Sequence, residues 1–462
     1  MSEHSIREAE RTVPVRGQAD VLVVGAGPSG IAAALAAAED GLKVCLVERH
    51  GFVGGNLTIG LPVLGFLSQK GEQIIAGLPQ RIIDRLRAAN AASQHQACPL
   101  HMSFTLIEPQ AVQTVILDML RDSGVDPLLH SLCAGVIMEG DRLRGIVTES
   151  KAGCEAILAK VTIDCTGDGD VAFRAGVSCD KGDAHGGMQP ATLMFSMAGV
   201  DTEKLRLGIC NEPDTYTTDH IPADYYCRHR RFIVVGLRQL IQKARGSGLS
   251  IATDRTILIT GLREGEVWVN MTRVKGVDGT DPRSLSTGQI EAAGQINDIR
   301  RYLIDFVPGF EGSQLARTAP FLGIRETRRI AGQYVMTRDD ILTCRRFDDA
   351  IAVASYPIDL HHPVDDDCTL EWCGDCYDLP YRSLLPQRVV NLLVAGRCIS
   401  ATHEAMAAIR VMATCMAMGE AAGRAARMAV REGVSPSDIT LRRLREELIA
   451  RGGYLRNQTA TG

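Results

Sequence analysis

Aromatic residues are scarce: they form 5% of the 462-residue chain, with only two tryptophans. A chain this poor in rings offers no stacking platform for single-stranded nucleic acid. Nor does it carry an excess of positive charge. The formal net charge is -5, so the electrostatic footprint of a nucleic-acid binder is missing. Long apolar runs are missing too. The longest uncharged stretch, Val21 to Ala38, is interrupted by glycines and Pro28, which argues against a membrane span. The N-terminus, MSEHSIREAERTVPVRGQ, lacks the apolar centre of a signal peptide. A cytoplasmic protein is expected, and its 14 cysteines are expected to be reduced thiols, with Cys45 and Cys415 in apolar core surroundings. Hydrophobic residues at 45% and charged residues at 23% suit a globular chain of two or three domains.

What the chain does have is concentrated in residues 20 to 56. Asp20 to Val24 reads as a buried strand. It runs into Gly25, Ala26, Gly27, Pro28, Ser29 and Gly30, the spacing G-x-G-x-x-G. Gly25 permits a tight turn, Gly27 lets a pyrophosphate approach the backbone, and Gly30 lets the next helix pack close to the sheet. The alanine-rich stretch Ile31 to Glu39 is that helix, and its amide end faces the phosphates. Val44 to Val47 is a second strand ending at Glu48, 18 residues beyond Gly30, with Arg49 beside it. A carboxylate there accepts hydrogen bonds from a ribose.

The residues after Glu48, Arg-His-Gly-Phe-Val-Gly-Gly-Asn, resemble the E-x4–6-G-G stretch of the FAD-binding family typified by glutathione reductase and fumarate reductase. The resemblance implies FAD rather than NAD, with Gly54, Gly55 and Asn56 near the phosphates and the flavin. Two further stretches extend it. Asp164-Cys-Thr-Gly-Asp resembles the A-T-G-D motif, implying Thr166, Gly167 and Asp168 beside the dinucleotide. The segment 378–423 resembles the closing FAD motif, implying Gly396, Arg397, Ala408 and Ile409, with a helix Ile409 to Ala421 whose N-terminus faces the flavin. Cys133 or Ala134, in a strand meander, is a candidate for an adenine contact. G-I-R-E-T-R-R-I-x-G-x-Y, within 316–341, resembles a segment of related FAD-dependent oxidoreductases. The expected fold is α/β: a discontinuous Rossmann-like FAD-binding domain, 1–180 and 380–440, with an inserted α+β substrate domain at 181–379 and a C-terminal helix and tail at 441–462.

Elsewhere, residues 60–107 read as a mostly helical insertion, and Ala223 to Ala244 as one helix. Imidazole suits proton transfer near neutral pH, which makes His361 and His403 catalytic candidates, with Tyr381 near the closing motif. Arg325 is a candidate carboxylate clamp, because guanidinium binds carboxylates through two parallel hydrogen bonds. Arg410 could neutralise a reduced flavin or bind substrate. Cys368, Cys373 and Cys376 follow C-x4-C-x2-C, which leaves open an iron–sulfur loop, a redox dithiol, half a zinc site or plain thiols. The expectation is no metal, since a fourth ligand is unassigned. No second dinucleotide fingerprint appears, so the electron acceptor or donor is unassigned. The reading is an FAD-dependent oxidoreductase acting on a small polar, anionic molecule. The alternative is an electron-transfer flavoprotein subunit working with a metal centre or partner. Self-association is left open.

Overall fold

The computed structural model describes residues 10–366 and 368–456. Its main sheet has seven strands in the order Asp126–Leu128, Val44–Val47, Val15–Val24, Gly153–Asp164, Arg142–Ser150, Leu132–Glu139, with Leu392–Val394 added beside Gly153–Asp164. The first four strands pair in parallel, and the last two form an antiparallel meander. The strand Gly153–Asp164 is long enough to serve both. Arg142–Ser150 occupies its edge only as far as Leu158, so Thr162 to Asp164 are left to pair with Leu392–Val394, which returns from far along the chain. The result is a mixed α/β, Rossmann-like sheet, as expected.

The helix Pro28–Ala38 packs on this sheet beside the long helix Met412–Glu432, which also touches the strands Val15–Val24 and Gly153–Asp164. Their contact depends on missing side chains: a Cβ on Gly419 would lie 2.1 Å from the Ser29 carbonyl oxygen, and one on Gly423 2.3 Å from that of Ala33. No single helix among the described residues is long and apolar enough to cross a membrane. The apolar pair His403–Ile409 and Met412–Glu432 is bent by 92°.

A second, five-stranded antiparallel sheet has the order Ile233–Gly236, Thr256–Thr260, Val267–Val269, Phe195–Ala198, Gln314–Thr318. The helix Pro282–Phe306 contributes Ile299, Tyr302 and Leu303 to its core. The chain that follows it returns to the core of the first sheet. Ile351, Val353, Tyr377 and Leu379 pack in one cluster with Val21 and Ile31, although the expected substrate domain ran to 379. Conversely, Leu100, Phe104 and Leu106 pack with the second sheet.

Three local expectations are corrected. Residues 223–244 are not one helix but Ala223–Arg228, a strand Ile233–Gly236 and a helix starting at Arg238. Ile233, Val234 and Val235 are β-branched and pair with Ile257 to Ile259, so sheet pairing overrides the helical spacing. The 60–107 insertion holds one helix, Leu78–Ala88, and a three-stranded sheet. Pro79 lies in the first turn of that helix, where its missing N–H has no intrahelical partner to lose. Finally, Cys210 and Cys227 are joined by a disulfide where the helices Thr202–Asn211 and Ala223–Arg228 pack side by side, contrary to the expectation of reduced thiols throughout.

Candidate active site

Three sequence stretches far apart in the chain converge because three strands end level. Val24 is opposite Asp164, and Asp164 is opposite Val394. The loops that follow, starting at Gly25, Cys165 and Ala395, therefore leave the same carboxyl edge of the sheet, where ligands of open α/β sheets bind. They line a cavity of about 720 Å³ together with residues of the second sheet.

Each glycine of the first loop meets a different requirement. Gly25 has φ +98°, and a Cβ there would lie 2.5 Å from the Cys165 carbonyl oxygen. A Cβ on Gly30 would lie 1.7 Å from the Gly25 carbonyl oxygen, so Gly30 is needed for packing and does not line the cavity. Gly27 differs: a Cβ there would meet no protein atom within 4 Å, and Gly27 lines the cavity with Pro28 and Ser29. Gly55 and Asn56 line it too, whereas Gly54 supports their turn by donating its N–H to the Ala26 carbonyl at 2.8 Å.

Glu48 has a role that sequence reasoning missed. Its Oε2 accepts the Ala26 N–H at 2.7 Å and its Oε1 the His50 N–H at 2.9 Å, so the carboxylate braces the glycine loop as well as lining the cavity with Arg49 and His50. Asp164 does the same for the second loop. Its Oδ1 accepts from the Thr166 N–H and hydroxyl, and its Oδ2 from the N–H groups of Val171 and Ala172. Thr166, Gly167 and Asp168 line the cavity, and Asp168 pairs with Arg397 at 2.6 Å, tying the second loop to Gly396 and Arg397 of the third.

Other expected cofactor contacts fall elsewhere. Ala134 lies on the meander, where its carbonyl accepts from Arg174 Nε at 3.3 Å, and it does not line the cavity. Ala408 and Ile409 are buried inside the helix His403–Ile409. The expected helix Ile409 to Ala421 is a correction: the chain bends after Ile409, and the next helix starts at Met412. Thr402, whose hydroxyl accepts the Ala405 N–H, starts the short first helix earlier than the pattern suggested. Arg410, Val411 and Met412 at the bend line the cavity.

Of the catalytic candidates, Arg325, His361 and Arg410 line the cavity, but Tyr381 and His403 do not. The Tyr381 hydroxyl is buried and donates to the Pro436 carbonyl at 2.8 Å. His403 Nδ1 lies 2.8 Å from Glu326 Oε1, and Glu326 also pairs with Arg329. Both are tied into the core by partners that the sequence could not show.

The cavity also holds residues that were not singled out as catalytic: Asp359, Cys368, Tyr356 and His101. Asp359 and His361 alternate on the strand Ile358–His361, and Cys368 is directly opposite His361 on the partner strand. All three therefore share one face of the hairpin, and their donor atoms lie within 4.8 Å of one another. The D-x-H alternation was the available signal. Asp359 Oδ1 accepts from Cys368 Sγ at 3.0 Å, and Oδ2 from the Tyr356 hydroxyl at 3.1 Å. Burial pulls the Asp359 pKa upward, but His361 and Arg410 outweigh it and hold the carboxyl well below its ordinary range.

The triplet has the composition of a metal site, but its second contacts are wrong for one. His361 Nε2 faces Asp359 Oδ1 at 3.5 Å, while Nδ1 faces Arg273 Nη1 at 3.3 Å. A metal on Nε2 would put the proton on Nδ1, against another donor, where ligating histidines need an acceptor. The C-x4-C-x2-C spacing does not converge either. Cys368 lines the cavity, whereas Cys373 is buried in the dinucleotide core with Sγ 3.2 Å from the Asp375 carbonyl.

Burial pushes His101 and His361 down to about 4, with Arg325 adding to the effect at His361. Unfolded imidazoles titrate near 6.5. Between these values the unfolded chain binds more protons, so stability rises with pH through this window. Folding stability is expected to be lost as pH falls from about 6.5 to about 4, on the order of 3 kcal/mol for each ring. Denaturant titrations at pH 7, 5.5 and 4.5 check this. Replacing His101 by asparagine should flatten the profile.

The cavity suits a dinucleotide. Gly27 leaves open space where a side chain would otherwise project, and Glu48 closes the end of the second strand. The helices starting at Pro28 and Met412 have neither a side-chain cap nor an acidic residue in the first turn. Uncapped helix N-termini favour phosphate oxygens and developing negative charge.

Comparison with known proteins agrees with this geometry. The family described as FAD dependent oxidoreductase matches residues 20–448. A thiamine thiazole synthase of Aeropyrum pernix is 30% identical over 130 residues, 28% of this chain and 43% of that protein. A digeranylgeranylglycerophospholipid reductase of Picrophilus torridus is 26% identical over 156 residues, 32% of this chain and 39% of that protein. The chain thus spans less than half the length of these two curated relatives. Among solved structures, a p-nitrophenol 4-monooxygenase from Pseudomonas putida DLL-E4 superposes with a TM-score of 0.49 at 13% identity, over 91% of this chain and 82% of that one. The matched family spans nearly the whole chain, including all three loops that line the cavity: this protein belongs to the FAD dependent oxidoreductase family, and FAD is its cofactor.

Proposed function

We propose that the enzyme moves a hydride between FAD and a small anionic organic molecule held by Arg325. FAD, when bound, supplies the two-electron chemistry. The observation that carries the reading is the charge around Arg325. The side chain is half-buried at the cavity wall, and its Nη1 donates to the Pro190 carbonyl at 2.6 Å. Burial, then the neighbouring Arg410, push its pKa down to about 10. Arg410 spends its Nη1 on the Arg325 carbonyl and its Nη2 on that of Asp359. Arg325 and Arg410 thus act on one carboxylate, Asp359, while Arg273 adds a further positive charge beside Arg325. An anionic substrate offsets the remaining positive charge, and a planar guanidinium orients it.

His361 is neutral near pH 7 and has both ring nitrogens turned to protein groups, which supports a role in holding Asp359 in place. Proton transfer is assigned to His101, a neutral imidazole lining the cavity with Nδ1 3.6 Å from Cys98 Sγ. An electron-transfer flavoprotein would have no use for an anion clamp. The finer kinship with fumarate reductase and glutathione reductase rests on the Gly54-Gly55 pair and belongs to this proposal.

The test is anaerobic mixing of the FAD-loaded protein with pooled organic acids while the absorbance of oxidised flavin is followed. Bleaching by one or more acids is expected. A parallel pool of alcohols and amines, which carry no negative charge, is the control, and bleaching confined to that pool would overturn the anionic substrate.

A further inference from the structure

Arg325 accounts for one end of a substrate, and the second sheet speaks to the rest of it. Ile233 and Val235 alternate on the strand Ile233–Gly236, and Ile257 and Ile259 alternate on Thr256–Thr260. The antiparallel register pairs Ile233 with Ile259 and Val235 with Ile257. Four branched aliphatic side chains therefore share one face, and all four line the cavity. Val234 and Leu258, which alternate with them, do not line the cavity, although Ile233, Val235 and Ile259 belong to the same buried cluster and only Ile257 is half-buried. None of the nucleotide-binding loops contributes to this wall.

Two polar side chains nearby have protein partners. Thr192 Oγ1 bonds Asn270 Oδ1 at 2.8 Å, and Arg255 Nε donates to Asp254 at 2.9 Å. A short hydroxy or keto acid gripped by Arg325 would leave the exposed part of this wall, chiefly Ile257, facing water, which is unfavourable in proportion to the apolar area left wet. Same-face side chains lie about 7 Å apart along a strand and about 5 Å apart between strands, so the four outline an area about the size of one six-membered ring.

We infer that the substrate is a carboxylic acid with an apolar, ring-sized body, in place of the small polar acid expected from sequence. The inference rests on Arg325 as the anion clamp: the carboxylate is held by the guanidinium, and the ring or branched hydrocarbon lies on the Ile233–Val235–Ile257–Ile259 wall.

The experiment measures equilibrium binding to the FAD-loaded protein, by calorimetry and by perturbation of the flavin spectrum. The probes are benzoate, cyclohexanecarboxylate, acetate and lactate, with benzyl alcohol as the neutral control. The two ring acids are expected to bind at least tenfold more tightly than acetate or lactate. Ile257→Asn, at the most exposed position of the wall, should remove that advantage while leaving acetate binding unchanged. Arg325→Lys should weaken all four acids. Val235→Ala, which only deletes methyl groups, serves the same purpose if Ile257→Asn loses FAD or melts early. Equal binding of short and ring acids, each sensitive to Arg325→Lys, would overturn the apolar wall and leave the clamp standing. Benzyl alcohol binding as tightly as benzoate would instead overturn the clamp, and this inference with it.

Discussion

Arg325→Lys is expected to lower kcat/KM by about 30-fold or more while FAD content and thermal midpoint stay near those of the parent. Lysine keeps the charge, so a site that needed only a cation would barely notice. The guanidinium, however, holds the Pro190 carbonyl with one arm and has donors left for the cavity, a geometry that one ammonium cannot reproduce. Loss of a buried, charge-assisted contact costs about 2 to 5 kcal/mol, and 2 kcal/mol is about 30-fold. Steady-state kinetics with a bleaching acid, beside flavin content from the visible spectrum, make the comparison. Unchanged kinetics in a fully loaded variant would remove Arg325 from the site.

The second large effect separates two glycines three residues apart. Gly27→Val is expected to give a folded protein that no longer retains FAD. Gly27 has φ -77°, which any residue adopts, and the space beyond its Cα is cavity. Nothing in the protein resists the side chain, so the clash is with the cofactor alone. Overpacking of a close contact costs about 3 kcal/mol at its upper range, roughly a hundredfold in affinity. Gly30→Ala should do the reverse, harming folding first, because its Cβ would lie 1.7 Å from the Gly25 carbonyl oxygen. Flavin-to-protein ratio after gel filtration, with thermal unfolding in the presence and absence of added FAD, distinguishes the two. A Gly27→Val protein eluting with stoichiometric FAD would contradict the assigned phosphate site.

Much of the cofactor half was readable because its signals are local. A buried strand, three spaced glycines, an alanine-rich helix and a carboxylate after the next strand follow within about 30 residues, and each obeys backbone rules that need no distant partner. The same holds for the strand ends before Thr166 and Gly396. The substrate half is less local. His361 and Arg410 were readable as functional residue types, but so were Tyr381 and His403. Only burial against the Pro436 carbonyl and Glu326 removes those two from the cavity.

By itself, then, the sequence determined a dinucleotide fold with three motif loops and a set of arginine and histidine candidates, because turn geometry and strand periodicity are properties of neighbouring residues. Tertiary structure decided what those loops build. The level ends of the strands at Val24, Asp164 and Val394 come from cross-strand register, which no single segment contains. The Asp359, His361 and Cys368 face comes from a hairpin pairing. The bend at Arg410 places a cation at the cavity where the helical pattern ran straight on. The aliphatic wall exists only because Ile233–Gly236, readable as helix, found Thr256–Thr260 to pair with, and pairing between β-branched strands outweighs local helical preference.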